Sequence, residues 1–267
     1  MPEAAVPLGR PGWVDLASPD VSASKRFYRG LFGWSDFTLA VPSYGDYEIL
    51  TLGDDQGPVV AGLQSLADDA QPPTWTCYFR VENLQDTAAA VEAAGGQELM
   101  PPTNVADLGQ VALFQDRQGA DFGVALPGIL EIGFGTEPST VCWIELMCPD
   151  IRQPRRFYGA VLGWEAVDHV HHGRPWITWK AGDRFFGGAV SPDEPPPHTP
   201  AQWIPYFWVT DCDASAARAA ELGAHIQLPP TDAPPGRYAR LTDPTGAGLG
   251  IITPARRPDG AETSTRS

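Results

Sequence analysis

The chain opens with a strand-like alternation that runs directly into a helical period. Between residues 12 and 18, Trp13 and Asp15 fall on one face of a strand, and the intervening residues fall on the other. A helix is predicted over residues 22–31, with a polar N-cap before it and Gly33 at its end. Short apolar runs bounded by turn residues then predict three strands, at 36–41, 47–52 and 58–63. The pattern therefore predicts a strand–helix–three-strand module.

A second module of the same order follows the first. It begins with the β-branched and aromatic run TWTCYFRV, and a helix is predicted over residues 84–94, ended by two glycines. Three further strand-like runs close this module, at 97–100, 110–115 and 121–125. The first half of the chain thus contains two modules.

The second half of the chain repeats the first. FYRGLFGW at 27–34 returns 130 residues later as FYGAVLGW, and WVDLASPD, which begins at Trp13, returns at the same offset as WIELMCPD, which begins at Trp143. WTCYFRV returns as WIPYFWV, and the turn DRQG, which begins at Asp116, returns as DPTG, which begins at Asp243. A repeat of this length predicts two homologous domains in an α+β chain. Domain boundaries are predicted at 10–127 and 139–254, with a linker at 128–138 and a disordered tail at 255–267.

Composition narrows the possible partners. The 267 residues are 43% hydrophobic, which is enough for a core in each half, and the formal net charge is −15. An acidic surface repels phosphate backbones and anionic lipids, so binding to nucleic acid or to membranes is not expected. The four cysteines form no CxxC motif, and the chain has no run of signal-peptide or membrane-span character. A cytoplasmic protein with buried thiols is therefore expected.

The repeated motifs carry a family resemblance. Four modules, with FYxxxxGW after each domain's opening strand and DxxG before its closing strand, resemble the vicinal oxygen chelate superfamily. That superfamily includes glyoxalase I, extradiol dioxygenases, fosfomycin-resistance enzymes and bleomycin-binding proteins. A tandem chain with Trp on both opening strands is similar to two-domain glyoxalase-like proteins of high-GC bacteria, some of which are accessory proteins of antibiotic gene clusters. The resemblance implies four βαβββ modules that form two glyoxalase-like domains, each a curved mixed sheet around a cleft.

The resemblance also implies where a metal would be bound. Metal-dependent members place ligands on the first, fifth and eighth strands of a domain. The corresponding residues here are Trp13, Thr76 and Gly123 in the first half, and Trp143, Ile204 and Gly250 in the second half. None of these six side chains is a ligand for a divalent cation. The sequence therefore predicts neither a metal nor another cofactor in the clefts.

An indole beside a carboxylate takes the place of the metal ligands. Trp13 with Asp15, and Trp143 with Glu145, share a strand face, so each cleft would offer an aromatic platform and an acid. The alternative is that each Trp fills a core and each acid caps a strand end. Other aromatic residues on strands extend the candidate set. The predicted ligand-binding residues are Trp13, Asp15, Trp143, Glu145, Trp75, Trp176, Trp179, Trp203, Tyr47 and Tyr238.

A run of three histidines permits a competing metal hypothesis. His169 and His171 could share a strand face, and His172 follows directly in a predicted hairpin. The alternative is a solvated hairpin, because the alignment places no acid or cysteine beside the run. Acid–base catalysis by Asp15, Glu145 or Tyr238 also stays open, and no other catalytic motif is present in a suitable context.

Three functions remain compatible with the sequence. The favoured one is metal-free binding of a hydrophobic or aromatic, possibly cationic, small molecule such as a natural product or antibiotic, for sequestration, self-resistance or delivery to a biosynthetic enzyme. The alternative is a lyase, isomerase or oxygenase-type enzyme. The third is a scaffold or regulator in which one cleft has lost its function. The tandem repeat permits a monomer as well as a homodimer, and one or two working clefts.

Overall fold

A computed structural model describes residues 8–41, 45–68, 70–105, 109–126, 134–135, 137–171, 173–191 and 200–255. Each half folds as two modules of one strand, one helix and three strands. The first half contains β1 (Pro11–Ser18), α1 (Val21–Phe32), β2 (Trp34–Val41), β3 (Gly45–Leu52), β4 (Val59–Ser65), β5 (Thr74–Arg80), α2 (Leu84–Ala93), β6 (Gln97–Asn104), β7 (Gln110–Gln115) and β8 (Asp121–Ala125). The predicted tail lies outside the described residues except for Ala255.

The second half has the same order of elements. It contains β9 (Val141–Met147), α3 (Arg152–Leu162), β10 (Glu165–His171), β11 (Arg174–Ala181), β12 (Arg184–Val190), β13 (Gln202–Trp208), α4 (Cys212–Glu221), β14 (His225–Ala233), β15 (Gly236–Thr242) and β16 (Gly248–Pro254). None of the helices in the described ranges is long and apolar enough to cross a membrane. The predicted α+β class and the four βαβββ modules are confirmed.

Each half forms one eight-stranded mixed sheet. The strand order is β2-β3-β4-β1-β5-β8-β7-β6 in the first half, and the second half repeats it as β10-β11-β12-β9-β13-β16-β15-β14. The opening strands of the two modules pair antiparallel at the centre, β1 with β5 and β9 with β13. Each opening strand also pairs parallel with the last strand of its own module. The central strands of each sheet therefore come from both modules.

Helix α1 shows how the repeated motif forms its element. Asp20 accepts a hydrogen bond from the backbone N–H of Ala23 and so caps the first turn. Gly33 ends the helix with φ 72°, a left-handed conformation that glycine adopts without steric cost. Phe27, Tyr28 and Phe32 lie on the buried side of the helix. The prediction of a capped helix over residues 22–31 that is ended by Gly33 is confirmed.

Two edge strands run further than the sequence pattern predicts. A strand was predicted over residues 97–100, but β6 continues through Pro101 and Pro102 to Asn104. The equivalent strand β14 likewise runs through Pro229 and Pro230. Both strands lie at a sheet edge, where a residue without a backbone N–H need not break a ladder of hydrogen bonds. The edge position explains why proline did not end either strand.

The two halves share one hydrophobic core. The ring of Phe207 on β13 lies 5.3 Å from the ring of Trp75 on β5, and the ring of Phe79 lies 5.5 Å from that of Trp203. The core cluster contains buried residues from both sheets and from all four helices. The sheet faces that carry the helices are therefore turned toward each other, and the opposite face of each sheet remains for a cleft.

A pair of equivalent hydrogen bonds joins the halves. Tyr28 of FYRGLFGW donates to Asp243 of DPTG at 2.8 Å, and Tyr158 of FYGAVLGW donates to Asp116 of DRQG at 3.1 Å. We call these two contacts the crossed tyrosines, since each Tyr bonds the other half's turn. The indole of Trp75 donates to the Tyr28 hydroxyl at 3.0 Å, and the second half repeats this contact between Trp203 and Tyr158 at 2.9 Å. The repeated motifs therefore build the junction between the domains.

Candidate functional site

The central strands place an aromatic residue and an acid on the cleft face of each sheet. Val14 and Leu16 of β1 are buried in the shared core, so alternation turns Trp13 and Asp15 to the opposite face. The same holds in β9, where Ile144 and Leu146 lie in the core and Trp143 and Glu145 face away from it. The predicted pairing of each indole with a carboxylate on one face agrees with this arrangement.

Three predicted residues do not lie in a cleft. Trp75, Trp179 and Trp203 are at most 2% exposed and belong to the shared core on the helix-bearing face. Trp75 and Trp203 are bonded to the crossed tyrosines, and Trp179 packs 5.3 Å from the ring of Trp164. Their assignment as ligand-binding residues is corrected: strand alternation places them on the wrong face for contact with a cleft.

In the first cleft a closed polar cluster surrounds Asp15. The Trp13 indole donates to the Tyr47 hydroxyl at 3.0 Å, and Tyr47 and Tyr78 donate to Asp15 Oδ2 at 3.2 and 3.3 Å. Asp15 is 4% exposed, and its Oδ1 is buried without a hydrogen-bond partner among the described residues. Burial raises the pKa of Asp15 to about 7, although both tyrosine hydrogen bonds oppose this shift.

In the second cleft the equivalent strands of the second sheet line an open cavity. Its volume is about 260 Å³. Tyr206 donates to Glu145 Oε2 at 2.9 Å. Burial raises the pKa of Glu145, while the charge of Arg240 and the Tyr206 hydroxyl act against this shift. The cavity is lined by Trp143, Glu145, His171, Arg174, Pro175, Trp176, Val190, Ser191, Tyr206, Ala233, Pro234, Pro235, Tyr238, Arg240 and Ile252.

One row of residues in register explains the difference between the clefts. In the second sheet the row runs across four strands through Trp143, Tyr206, Gly250 and Arg240. The same row in the first sheet is Trp13, Tyr78, Gly123 and Leu113. An arginine in the second cleft thus replaces a leucine in the first. Tyr238, two residues before Arg240 on β15, lies where the first sheet has Val111, two residues before Leu113 on β7.

A second difference lies on the other side of the opening strand. Asp15 pairs with Gly62, which pairs with Ile49, and Tyr47 lies two residues before Ile49 on the same face. A Cβ at Gly62 would lie 1.8 Å from the Tyr47 hydroxyl, so this ring covers the glycine and reaches Asp15. The same register in the second half places Trp176 at the position of Tyr47. Trp176 lines the cavity instead of closing it.

The histidine run contributes to the wall of the second cleft. The ring of His169 stacks on Trp176 with centroids 4.5 Å apart, and its Nε2 lies 2.9 Å from Thr178 Oγ1. His171 lines the cavity, and His172 is outside the described residues. Within the described ranges there is no cluster of three or more His, Cys, Asp or Glu side chains placed to hold a metal. His169 therefore supports Trp176 by stacking.

The residues at the positions that align with the metal ligands of metal-dependent members do not fit a divalent cation. The ring of Tyr206 lies against Gly250, where a Cβ would come within 2.2 Å of the Tyr206 Cδ1 atom. Tyr78 covers Gly123 in the same way. A carboxylate could not stand at either glycine without displacement of the tyrosine ring. Since Trp143 and Ile204 supply no donor suited to a cation, the second cleft lacks the family's ligand set.

The sequence reasoning missed three residues of these clefts. They are Tyr78, Tyr206 and Arg240. A signal for the tyrosines was available, because Thr76 had been aligned to the cleft face and alternation then places Tyr78 on that face and Trp75 on the other. Arg240 lies near Glu145 only because of the register of four strands. A single sequence carries no signal for that long-range pairing.

The architecture and the clefts identify the class of fold to which the chain belongs. Two sheets, each of two βαβββ modules around a cleft, are typical of tandem glyoxalase-fold proteins. Residues 10–124 match the family described as the Glyoxalase/Bleomycin resistance protein/Dioxygenase superfamily, and residues 143–252 match the glyoxalase-like domain family. The chain belongs to this superfamily, as its motifs had indicated.

Two similar proteins come from antibiotic-producing bacteria, and both are similar over nearly their full length. The chain is 37% identical over 270 residues to the anthracycline biosynthesis protein DauV of Streptomyces sp. strain C5, covering 91% of this chain and 93% of DauV. It is 36% identical over 262 residues to the anthracycline biosynthesis protein DnrV of Streptomyces peucetius, with the same shares covered. The expected resemblance to antibiotic-cluster accessory proteins is confirmed.

A solved structure shares the fold. The Mn(II)-bound glyoxalase of Novosphingobium aromaticivorans superposes with a TM-score of 0.65, covering 98% of this chain and 86% of the glyoxalase. The two sequences are 17% identical. The likeness therefore establishes the architecture and does not extend to activity.

Proposed function

We propose that the second cleft binds an aromatic or hydrophobic small molecule without a metal. The observation that carries this proposal is the cavity of about 260 Å³, which has Trp143, Trp176 and Tyr238 among its lining residues and the bonded pair Glu145–Tyr206 beside them. Ligand sites combine apolar and aromatic walls with a few polar groups in this way, at volumes of roughly 300–1,000 Å³. The cavity suits a small aromatic molecule or one end of a larger one.

The relatives favour a natural product as this molecule. DauV and DnrV are named as anthracycline biosynthesis proteins, so an anthracycline or its aromatic precursor is the first ligand to test. Binding would serve sequestration, self-resistance or delivery to a biosynthetic enzyme. The metal-ligand positions of the family carry Trp143, Ile204 and Gly250, which supports a binding role over metal-assisted chemistry.

We assign ligand binding to one cleft. In the first cleft Tyr47 covers Gly62 and bonds Asp15, and Asp15, Tyr47 and Tyr78 are all less than a tenth exposed. The hydrogen bonds of this cluster join β1, β3 and β5, so we assign it a structural role. The open cavity lies beside the equivalent residues of the second half. The two halves would thus have divided a structural and a binding role between them.

A second candidate function is metal-independent proton transfer in the same cleft. Glu145 faces the cavity and accepts the Tyr206 hydrogen bond, and burial raises the pKa of Glu145 above its ordinary value. A lyase or isomerase would use such a group as an acid or base. This function differs from binding in one observable respect, because the ligand would be recovered as a changed product.

The test is calorimetric titration of the purified protein with an anthracycline aglycone. We expect Trp143→Ala to weaken binding at least about tenfold through lost ring stacking and burial. Trp13→Ala, the matched change at the equivalent position of the first half, should leave the affinity within about threefold. Prior dialysis against EDTA should change neither result.

Two outcomes would contradict the proposal. Equal losses for both tryptophan variants would show that the site is not the second cleft, and loss of binding after EDTA would show that a metal takes part. Mass spectrometry of the recovered ligand separates the candidate functions. An unchanged mass and retention time supports binding alone, whereas a product whose formation requires Glu145 supports proton transfer.

A further inference from the structure

The second cleft places an arginine beside its aromatic wall although the whole molecule is acidic. The chain carries a formal net charge of −15. Among the described residues that line the cavity, the arginines are Arg174 and Arg240, and Glu145 is the one carboxyl group. Burial raises the pKa of Glu145, while the charge of Arg240 acts against this shift. A local concentration of positive charge in an acidic protein points to a ligand of the opposite sign.

Arg240 is the cation placed best for such a ligand. Its Nη1 lies 2.6 Å from the sulphur of Met147, and a thioether is a weak hydrogen-bond acceptor. Glu145 is bonded to Tyr206 instead, and within the described part of the chain Arg240 has no carboxylate in an ion pair. A half-buried guanidinium with a weak partner gains most from a charged oxygen supplied by a ligand.

The comparison between the halves shows that the second cleft has an arginine at a position where the first cleft has none. Leu113 occupies the position of Arg240 in the first sheet, and Val111 occupies that of Tyr238. The first cleft, which Tyr47 closes, thus lacks both polar side chains at these two places. Since the first sheet forms with the same strand order and a leucine at this position, the arginine is not required by the fold of the sheet.

We propose that the second cleft selects aromatic molecules that carry an acidic oxygen, either a carboxylate or an ionised phenol, with the ring against Trp143 or Trp176 and the oxygen bound by Arg240. This inference rests on the proposed function and specifies its ligand class. It reverses the sign expected from the acids alone, which suggested a cationic ligand. A charge-assisted hydrogen bond from a guanidinium is among the stronger polar contacts available to a protein.

Three tricyclic probes that differ in one substituent test the charge preference. They are 9-anthracenecarboxylate, 9-anthracenemethanol and 9-anthracenemethylamine, titrated into the full chain by calorimetry at pH 7.5. We expect the carboxylate to bind at least about tenfold more tightly than the alcohol, and the amine to bind most weakly. The carboxylate affinity should fall between 50 and 500 mM salt, whereas the alcohol affinity should stay nearly constant.

Substitutions of Arg240 assign the preference to this residue. Arg240→Met should abolish the advantage of the carboxylate and keep the affinity for the alcohol, and Arg240→Lys should retain part of the advantage. If Arg240→Met does not fold, as judged by circular dichroism, the lysine variant and the salt dependence still decide the question. A carboxylate advantage that is insensitive to both would overturn the assignment.

The remaining outcomes separate this inference from the proposed function. Tightest binding of the amine, lost in Glu145→Gln, would overturn the acidic ligand class and leave aromatic binding in place. Equal affinity for all three probes would do the same. Failure of all three probes and of the anthracycline aglycone to bind would instead overturn the proposed function, and the ligand class with it.

Discussion

Asp15 and Glu145 are equivalent residues in the repeat, yet their environments differ. Asp15 is enclosed by two tyrosine hydroxyls and Trp13, and its second oxygen is buried without a partner among the described residues. Glu145 borders an open cavity and feels the charge of Arg240. Burial raises the pKa of both carboxyl groups, but a tyrosine cluster encloses Asp15, whereas Glu145 borders a cavity and a cation.

The enclosed Asp15 predicts a pH dependence of stability. Burial raises the pKa of Asp15 to about 7 in the folded protein, from 3.8 in its ordinary state. Between these values the folded state holds a proton that the unfolded chain has released. The contribution of Asp15 to the free energy of unfolding is therefore largest below about pH 4, falls as the pH rises through this window, and is constant above it. The total loss is on the order of 4 kcal/mol.

Asp15→Asn tests this prediction because the amide does not titrate. Between pH 5 and pH 8 the melting temperature of the wild type should fall on the order of 5 °C more than that of the variant. The measurement is thermal unfolding followed by circular dichroism across the pH range. Asp55→Asn, at an exposed position, is the control and should follow the wild type. Parallel curves for wild type and Asp15→Asn would show that Asp15 is ionised in the folded protein throughout.

At the scale of the elements, strand register decides what each cleft contains. Tyr206 on β13 pairs with Gly250 on β16, and the ring lies flat over the glycine. This contact fixes the hydroxyl 2.9 Å from Glu145 on the neighbouring strand. The absence of a side chain at residue 250 therefore has two consequences, since it removes a metal ligand and makes room for the tyrosine.

Gly250→Ala is expected to disturb this pairing of strands. The new Cβ would lie 2.2 Å from the ring of Tyr206, so the ring must move and the bond to Glu145 is lost. We expect a loss of about 1–3 kcal/mol in the free energy of unfolding, measured by chemical denaturation. Gly12→Ala, whose Cβ would have its nearest neighbour at 3.9 Å, should cost less than about 1 kcal/mol.

A double-mutant cycle identifies the cause of that loss. In a Tyr206→Ala background the ring is gone, so the added methyl of Gly250→Ala should cost little or stabilise the strand. An equal cost in both backgrounds would mean that the clash with Tyr206 is not responsible. The measurement requires only that the single Tyr206→Ala variant still unfolds in one cooperative transition.

The elements themselves could be predicted from the sequence, and parts of the clefts could not. Alternation correctly put Trp13 with Asp15 and Trp143 with Glu145, because the period of a strand is a local property. The prediction that Trp75 and Trp203 line the clefts was wrong, because each lies next to a residue on the cleft face, Thr76 or Ile204, and alternation turns it to the core. Arg240 was missed for a different reason: its proximity to Glu145 depends on pairing across β9, β13, β16 and β15.

At the scale of the whole molecule, the repeat builds a junction as well as two clefts. Each of the crossed tyrosines bonds a turn of the opposite half. The indole of Trp34 donates to the backbone carbonyl of Ser139, just before β9, and the indole of Trp164 donates to that of Gly9, just before β1. The pattern FYxxxxGW therefore recurs because each copy contacts the other half. Its recurrence reflects the pairing of domains and says little about the ligand.

The junction predicts how the separated halves behave. Residues 8–126 and 137–255, produced as separate chains, would each expose the face that carries the helices. In the first half this face includes Trp75 and Phe79, and in the second it includes Trp203 and Phe207, all of which are buried in the intact chain. Exposed apolar faces of this kind drive association. We expect each half alone to form a homodimer or to aggregate, because its own face resembles that of its missing partner.

Mixing the two halves gives the informative measurement. Native mass spectrometry should show a one-to-one complex with the summed mass of the two halves, which forms in preference to either homodimer because Tyr28 and Tyr158 then meet the turns that they bond in the intact chain. Tyr28→Phe in the first half should weaken this complex, since it removes the acceptor of the Trp75 indole and the hydroxyl that donates to Asp243 Oδ2 across the junction. If either half instead remained a folded monomer after mixing, the shared core would not be what holds the domains together, and the tandem arrangement would need a different physical explanation.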